Sequence, residues 1–349
     1  MAHTLCTFNA NNLFVRYRFG QKFPGDMGSK SQTPDPAFGY LPVYDPDLFE
    51  LFNETQRELA VQALTDDHQS YPDIICLQEV ESLIALRKFN EDKKLLNKRY
   101  RYALLIDGRD FRQIDVGILS RLPILSVRSH MDELDPTLPA SKRRFLFSRD
   151  CLEVVLALNQ SGSRTLTLFI NHLKSKFSMS AAERQEGDAL RERQARRVGE
   201  IVHERFPGSK FGTELFAVIG DFNDEPLSAP VQPLTKGSGL VDPVKRISKI
   251  EDRWTHWYRS ANTVSQLDYV LLSPALDAQT QGNIPRIERR GISFSHFLSD
   301  GKPGPKRSHF ERKDNDPNPV SIDFRFPRFS GVNNEDYASD HCPVFLEIP

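Results

Sequence analysis

A close cysteine pair is missing from this 349-residue chain: Cys6, Cys76, Cys151 and Cys342 are scattered, each in or beside an apolar run. That spacing speaks against a zinc site or a disulfide framework and for four free thiols in a core. No apolar stretch approaches the roughly 18 residues that a membrane span needs. No basic leader with an apolar core precedes Thr4-Leu5-Cys6-Thr7-Phe8, so the chain reads as cytoplasmic, or as secreted with a leader already removed. A surplus of one charge is missing too. With 46 Lys and Arg against 47 Asp and Glu, bulk charge selects no partner, and a preference for a polyanion or a lipid has to come from local patches. No linker divides the sequence, and 39% hydrophobic residues suffice for a sizeable core. The expectation is one domain over 1–349, a monomer, with loop insertions near 20–47 and 286–335.

What is present is mostly strand. Runs rich in Val, Ile, Leu and Phe recur at 4–8, 73–78, 102–106, 115–119, 123–128, 151–158, 165–171, 215–220, 267–272 and 343–348. Helical spacing is confined to 53–67, with a capping box expected from Thr55 and Glu58, and to 181–206. The second of these carries six Arg and six acidic residues around its apolar positions, the pattern of a solvated, salt-bridged face. Many strands follow one another directly and the helices fall between strand groups. This predicts an α/β (α+β) fold: a sandwich of two mixed, largely antiparallel sheets flanked by helices.

Polar groups of one chemical kind close several of these runs. Gly220-Asp221-Phe222-Asn223-Asp224 ends a buried strand at a glycine that lets the chain turn, so Asp221 and Asn223 project from the mouth of the sheet. Glu79 closes Ile74-Ile75-Cys76-Leu77-Gln78, and an acid there is costly unless it is paired or coordinates a cation. Asn9 in Thr7-Phe8-Asn9-Ala10-Asn11, Asn171-His172-Leu173-Lys174 after Phe169-Ile170, Asp268 in Gln266-Leu267-Asp268-Tyr269, and Ser339-Asp340-His341-Cys342-Pro343 complete the set. Carboxylates, amides and imidazoles on strand-end loops are the raw material of a hydrolytic site. No Ser or Cys nucleophile signature competes with them.

These six strings, in this order from about residue 4 to 348, resemble the endonuclease/exonuclease/phosphatase superfamily, whose members include deoxyribonuclease-I-like nucleases, sphingomyelinases and inositol-polyphosphate 5-phosphatases. The resemblance implies a four-layer, deoxyribonuclease-I-like sandwich and a divalent-metal-dependent phosphodiesterase. It implies Asn9 and Glu79 as ligands of Mg²⁺, with Mn²⁺ or Ca²⁺ as alternatives, and Asp340 as a carboxylate on the metal side. Asp221 would orient or deprotonate the attacking water, Asn223 would hold a phosphate oxygen, and His341 would contact the scissile phosphate with Asp268 fixing its imidazole. His172 matches a histidine of the deoxyribonuclease-like and sphingomyelinase-like members, acting as acid or phosphate donor. Phe147-Ser148-Arg149-Asp150 resembles the string that supplies a phosphate-binding Arg, and Asn171 and Lys174 join Arg149 as phosphate contacts.

The substrate is read from softer features. Asn171-His172-Leu173-Lys174-Ser175-Lys176 and Asp107-Gly108-Arg109-Asp110 resemble strings of bacterial extracellular-type nucleases. Lys174, Lys176, Arg109 and Arg112 could follow a polyanionic backbone, and 286–330 carries ten Lys or Arg against six Asp or Glu. A nucleic acid is therefore the expected substrate. Phe294, Phe297, Phe310, Phe324, Phe326 and Phe329 in the same stretch keep a lipid or inositol phosphoesterase open as the alternative. A catalytically silent binding protein of this fold is the reading from another class.

Overall fold

The structure, a computed structural model, describes residues 2–17, 49–51, 53–65, 70–142, 144–176, 180–258, 263–292, 308–312, 321–324, 328–332 and 336–349. The expected insertion at 20–47 lies outside the described residues, as does much of that at 286–335, including Phe294, Phe297 and Phe326.

The strands, in chain order, are β1 (His3–Leu13), β2 (Val15–Tyr17), β3 (Phe49–Leu51), β4 (Ile74–Val80), β5 (Tyr102–Leu105), β6 (Asp115–Ser120), β7 (Ile124–Arg128), β8 (Cys151–Ala157) and β9 (Thr165–His172). There follow β10 (Phe216–Asp221), β11 (His256–Tyr258), β12 (Thr263–Ser265), β13 (Asp268–Leu272), β14 (Arg286–Ile287), β15 (Ser308–Arg312), β16 (Ser321–Phe324) and β17 (Val344–Ile348). The helices are α1 (Glu54–Ala63), α2 (Leu83–Glu91), α3 (Ala181–Arg205), the single turns α4 (Lys210–Thr213) and α5 (Gln232–Thr235), and α6 (Pro274–Thr280). All ten apolar runs fall in strands.

Two sheets make the sandwich. The first has the order β14-β17-β1-β4-β6-β5 and the second β13-β10-β9-β8-β7. Only β1 with β4 and β9 with β10 pair in parallel within them; the other neighbours are antiparallel. Period-two alternation on strands with both faces covered explains the near-continuous apolar runs. On β1, Leu5 faces the second sheet while Cys6 and Phe8 face α1 and α2; on β10, Ala217 and Ile219 face the first sheet while Phe216 and Val218 face α3. Each of the larger side chains, Leu5, Phe8, Phe216, Val218 and Ile219, contributes about 1.5–3 kcal/mol over exposure. The layers are thus helix, sheet, sheet, helix. All four cysteines are buried and free.

The helix signals need one correction and two additions. Asn53, not Thr55, caps α1: its side chain accepts the Gln56 N–H, two residues earlier than the expected box. Helices α2 and α6 have no counterpart among the sequence-based expectations. Their signals were Ser82 and Ser273, whose side chains accept the N–H groups of Ala85 and Leu276, with Pro274 at the first position of α6. Helix α3 fits the expectation, its Arg197 paired with Glu133, Glu200 and Glu204.

A candidate metal and phosphate site between the two sheets

Strand parity decides which polar groups meet. His172, Asp221 and Asp268 have the same parity as Ile170, Ile219 and Val270, which face the space between the sheets. Register then sets them side by side: Asp221 lies opposite His172 across β9–β10 and opposite Asp268 across β10–β13. A row of imidazole, carboxylate and carboxylate therefore runs across three adjacent strands. Gly220 permits the turn that follows. Its φ is 133°, and a Cβ there would stand 1.9 Å from the Asn171 carbonyl oxygen.

The first sheet delivers Asn9 and Glu79 to the same gap by irregular means. Asn9 shares the parity of Leu5, and its Nδ2 donates across the gap to Asp221 Oδ2 at 3.0 Å. Beyond Asn9 the pairing with β4 shifts, and Asn11 and Asn12 take φ values of 47° and 60°. Glu79 also sits at positive φ, 60°, where β4 breaks register with β6. Positive φ at three non-glycine residues is strain of the kind that clusters at functional sites. The Asn12 N–H takes up the Glu79 carboxylate at 3.1 Å.

Asp221 is the hub. Its Oδ2 lies 3.6 Å from His172 Nε2 and 3.7 Å from His341 Nε2, and its Oδ1 accepts the Asn223 backbone N–H at 2.7 Å. Burial pushes the Asp221 carboxyl up to about 7 against the pull of His341. His341 Nδ1 meets Asp268 Oδ2 at 2.9 Å. Burial opposes a charged imidazole there, yet Asp268 and Asp221 together hold His341 well above its ordinary value. His172 goes the other way: burial, with the Arg149 and His341 charges, holds it well below, so it is neutral. Glu79 approaches His172 Nε2 at 4.0 Å, and burial with the Asp340 charge raises its carboxyl.

The remaining predicted residues divide. Arg149 is buried with Nη1 on the Leu173 carbonyl at 3.2 Å and Nε 3.3 Å from Asp110; Nε and Nη2 have no hydrogen-bond partner among the described residues. The Asn223 amide is turned to the Leu173 carbonyl and to Asp221, so it holds the carboxylate in place. Asn171 has the opposite parity: its Nδ2 donates to the Phe169 carbonyl, and it does not join the row. Lys174 stands beside the site, its N–H on Gln194, its ammonium disfavoured by burial and by Arg149. Buried Arg191 ties α3 to both loops, through Asp224 at 2.9 Å and the Lys174 carbonyl at 2.8 Å.

Several expected phosphate-following cations are already committed. Lys176 pairs with Asp224 and Glu225, and Arg109 with Asp132 and the face of Phe145. At the start of the 286–335 stretch, Arg286 and Arg290 pair with Glu288, while Arg289 donates to the Trp254 carbonyl and lies over its ring.

Two functional positions escaped the sequence reading. Thr255 Oγ1 donates to Asp268 Oδ2 at 2.7 Å and accepts the N–H groups of Leu267 and Asp268, which locks the carboxylate behind His341. His256 bridges to His341 through the backbone, its ring centroid 4.5 Å from that of His341 and its Nε2 3.8 Å from Asp340. The only available signal was Thr255-His256 between two apolar Trp residues, Trp254 and Trp257, too short for a periodic pattern.

The donor set fits a hard divalent cation. Among the described residues no Lys or Arg pairs with Glu79, Asp221 or Asp340, though Glu79 and Asp221 are largely buried and Glu79 feels the Asp340 charge. Carboxylates met by imidazoles but by no Lys or Arg ion pair, beside an amide oxygen, are an oxygen-rich donor set of the kind a hard cation takes.

A model of the Endonuclease/Exonuclease/phosphatase family matches residues 6–341. The chain belongs to this family. Among solved structures, those of family type include sphingomyelinase C from Streptomyces griseocarneus, 15% identical with TM-score 0.50, each chain covered to 100%. The human nocturnin catalytic domain with bound sulfate is 15% identical with TM-score 0.51, covering 100% of this chain and 94% of its own. A family protein from Bacteroides thetaiotaomicron is 16% identical with TM-score 0.50 over 100% of this chain and 98% of its own. At these identities the likeness establishes the deoxyribonuclease-I-like fold. No curated protein matches the sequence significantly.

Proposed function

We propose that the protein is a divalent-metal-dependent phosphodiesterase that hydrolyses a nucleic acid by in-line attack of water. The observation that carries this reading is the convergence on Asp221, where one amide Nδ2 lies 3.0 Å and two imidazole Nε2 atoms 3.6 and 3.7 Å from one carboxylate oxygen. A buried carboxyl held near neutrality suits a group that takes a proton from water at physiological pH. His341, kept protonated by Asp268, donates to a phosphoryl oxygen as negative charge builds there, and neutral His172 donates from the other side. Arg149, whose Nε pairs with Asp110 and whose Nη1 is on the Leu173 carbonyl, offers the same oxygens its Nη2. Asn223 and Thr255 hold the two carboxylates. Glu79, Asn9 and Asp340 would hold the divalent cation, Mg²⁺ first, whose charge when bound neutralises the phosphoryl group as a Lewis acid.

Support for a nucleic acid comes from the rim. Phe111 is 92% exposed at the tip of a turn pinned by Asp110, which accepts from the Arg112 N–H and pairs with Arg149. An exposed aromatic next to Arg112, whose charge also acts on Lys174, suits a stacked base beside its phosphate. The second reading, a lipid phosphodiesterase, is favoured by the fold shared with sphingomyelinase C.

The test sets plasmid DNA, single-stranded RNA, sphingomyelin vesicles and bis(p-nitrophenyl) phosphate in parallel with Mg²⁺, Mn²⁺ and Ca²⁺, each with and without chelator. Cleavage of nucleic acid that the chelator abolishes is the expected result. Turnover of sphingomyelin alone moves the protein to the lipid reading. No turnover of any diester by folded protein leaves a silent binding protein.

A further inference from the structure

Helix α1 buries a cation that the proposed chemistry does not use. Arg57 is 1% exposed, and among the described residues no carboxylate pairs with it. Burial lowers its guanidinium only to about 10, so it stays charged at neutral pH. A buried charge is costly unless its donors are taken up. Nη1 donates to the Ala10 carbonyl at 2.8 Å and Nη2 to the Asn11 carbonyl at 3.1 Å.

Those two carbonyls are halves of two consecutive peptide groups, and the other halves point at the site. The peptide whose carbonyl is Ala10 has the Asn11 N–H at its far end, which donates to Asn9 Oδ1 at 3.0 Å. The peptide whose carbonyl is Asn11 has the Asn12 N–H at its far end, which donates to Glu79 Oε2 at 3.1 Å. Because each peptide group is planar, holding its oxygen fixes the direction of its N–H. One guanidinium therefore aims two amides at two side chains, and it does so in a turn whose positive φ values would otherwise leave the chain free to relax.

We propose that Arg57 is a positioning residue for the cation site, acting through these two peptide groups on the Asn9 amide and the Glu79 carboxylate. The inference rests on the reading of Asn9 and Glu79 as cation ligands. It makes Arg57 a determinant of metal affinity rather than of the chemical step. The same two N–H groups leave Glu79 Oε1 and the remaining lone pair of Asn9 Oδ1 for the ion.

The experiment measures Mn²⁺ binding to the full chain directly, by the electron paramagnetic resonance signal of free Mn²⁺, together with the Mg²⁺ concentration for half-maximal hydrolysis of a chromogenic diester and the melting temperature. Wild type is compared with Arg57→Lys, Arg57→Met, Glu79→Gln and the double variant Arg57→Met/Glu79→Gln. Both Arg57 variants should weaken Mn²⁺ binding by about tenfold or more, while the rate at saturating metal changes far less. In the Glu79→Gln background the Arg57 effect should largely vanish, because the two act as one unit. Unchanged Mn²⁺ affinity in a folded Arg57→Lys protein, or full additivity in the double variant, overturns the proposal and leaves Arg57 a structural residue. If Glu79→Gln itself leaves Mn²⁺ binding intact, the underlying reading of the cation site fails, whatever Arg57 does.

Discussion

The two sheets supply the site by opposite means. The second sheet presents His172, Asp221 and Asp268 as a row fixed by strand register, each side chain at the position that unbroken pairing dictates. The first sheet presents Asn9 and Glu79 where pairing breaks, through positive-φ residues and a buried arginine behind them. Asp221 and His172, proposed to handle protons together with His341, thus stand on the half fixed by unbroken pairing, where a small displacement would cost most in rate. Groups that would hold an ion stand on the half whose backbone can be tuned by its supports.

That contrast can be broken most sharply at the hub. Asp221→Asn should lower turnover by about 10³-fold or more, since it removes the carboxylate proposed to take the proton from water, and the protein should remain folded by circular dichroism. Near-normal turnover would mean that the row is not catalytic. On the other sheet, Glu79→Gln should raise the Mg²⁺ requirement by about tenfold or more with a smaller loss at saturation, and chelation of the wild type should abolish activity. A metal titration identical to wild type would separate the cation from the first sheet.

Two backbone substitutions sharpen the comparison further. Gly220→Ala drives a Cβ into the Asn171 carbonyl, 1.9 Å away, at φ 133°, and should cost about 2 kcal/mol or more in urea denaturation. Asn12→Gly, at φ 60° in the turn of the first sheet, should change stability by less than about 1 kcal/mol, because glycine adopts that conformation freely. Equal costs at the two positions would contradict the division into a rigid row and a supported turn. Last, Asp224 is held well below the ordinary carboxylate range: burial opposes this, but Glu225, Lys176 and Arg191 outweigh it. Its stabilising effect should be complete above about pH 4, the value of an unfolded Asp, and should fall away on acidification below that. Urea titrations of wild type and Asp224→Asn against pH should therefore converge in acid; parallel curves would rule the pairing out.

Much of this was legible in the chain. Ten apolar runs located the main strands, because residues buried on both faces leave little room for polar exceptions. The strings around Asn9, Glu79, His172, Asp221, Asp268 and His341 named residues that the fold brings together, because polar groups at the ends of such runs stand out against them. Short strands such as β11 and β12 were not legible, since a three-residue segment carries no period. Asn171 adjoins His172 in the string, but one step along a strand reverses the face, so its amide lies outside the row.

Apolar periodicity was enough to indicate two mixed sheets flanked by helices, and the order of the six strings, by resemblance, to indicate the family, since both depend on residue type and local spacing. Only tertiary structure decided which acids found cations and which did not. Lys176 and Arg109 carry the charge that a phosphate needs, yet in the fold they meet Asp224, Glu225 and Asp132 first. Arg57, with nothing in its local sequence to distinguish it, reaches the turn of β1 from 46 and 47 positions away. Coulomb energy and hydrogen bonding depend on distance in space, and sequence separation does not encode that distance.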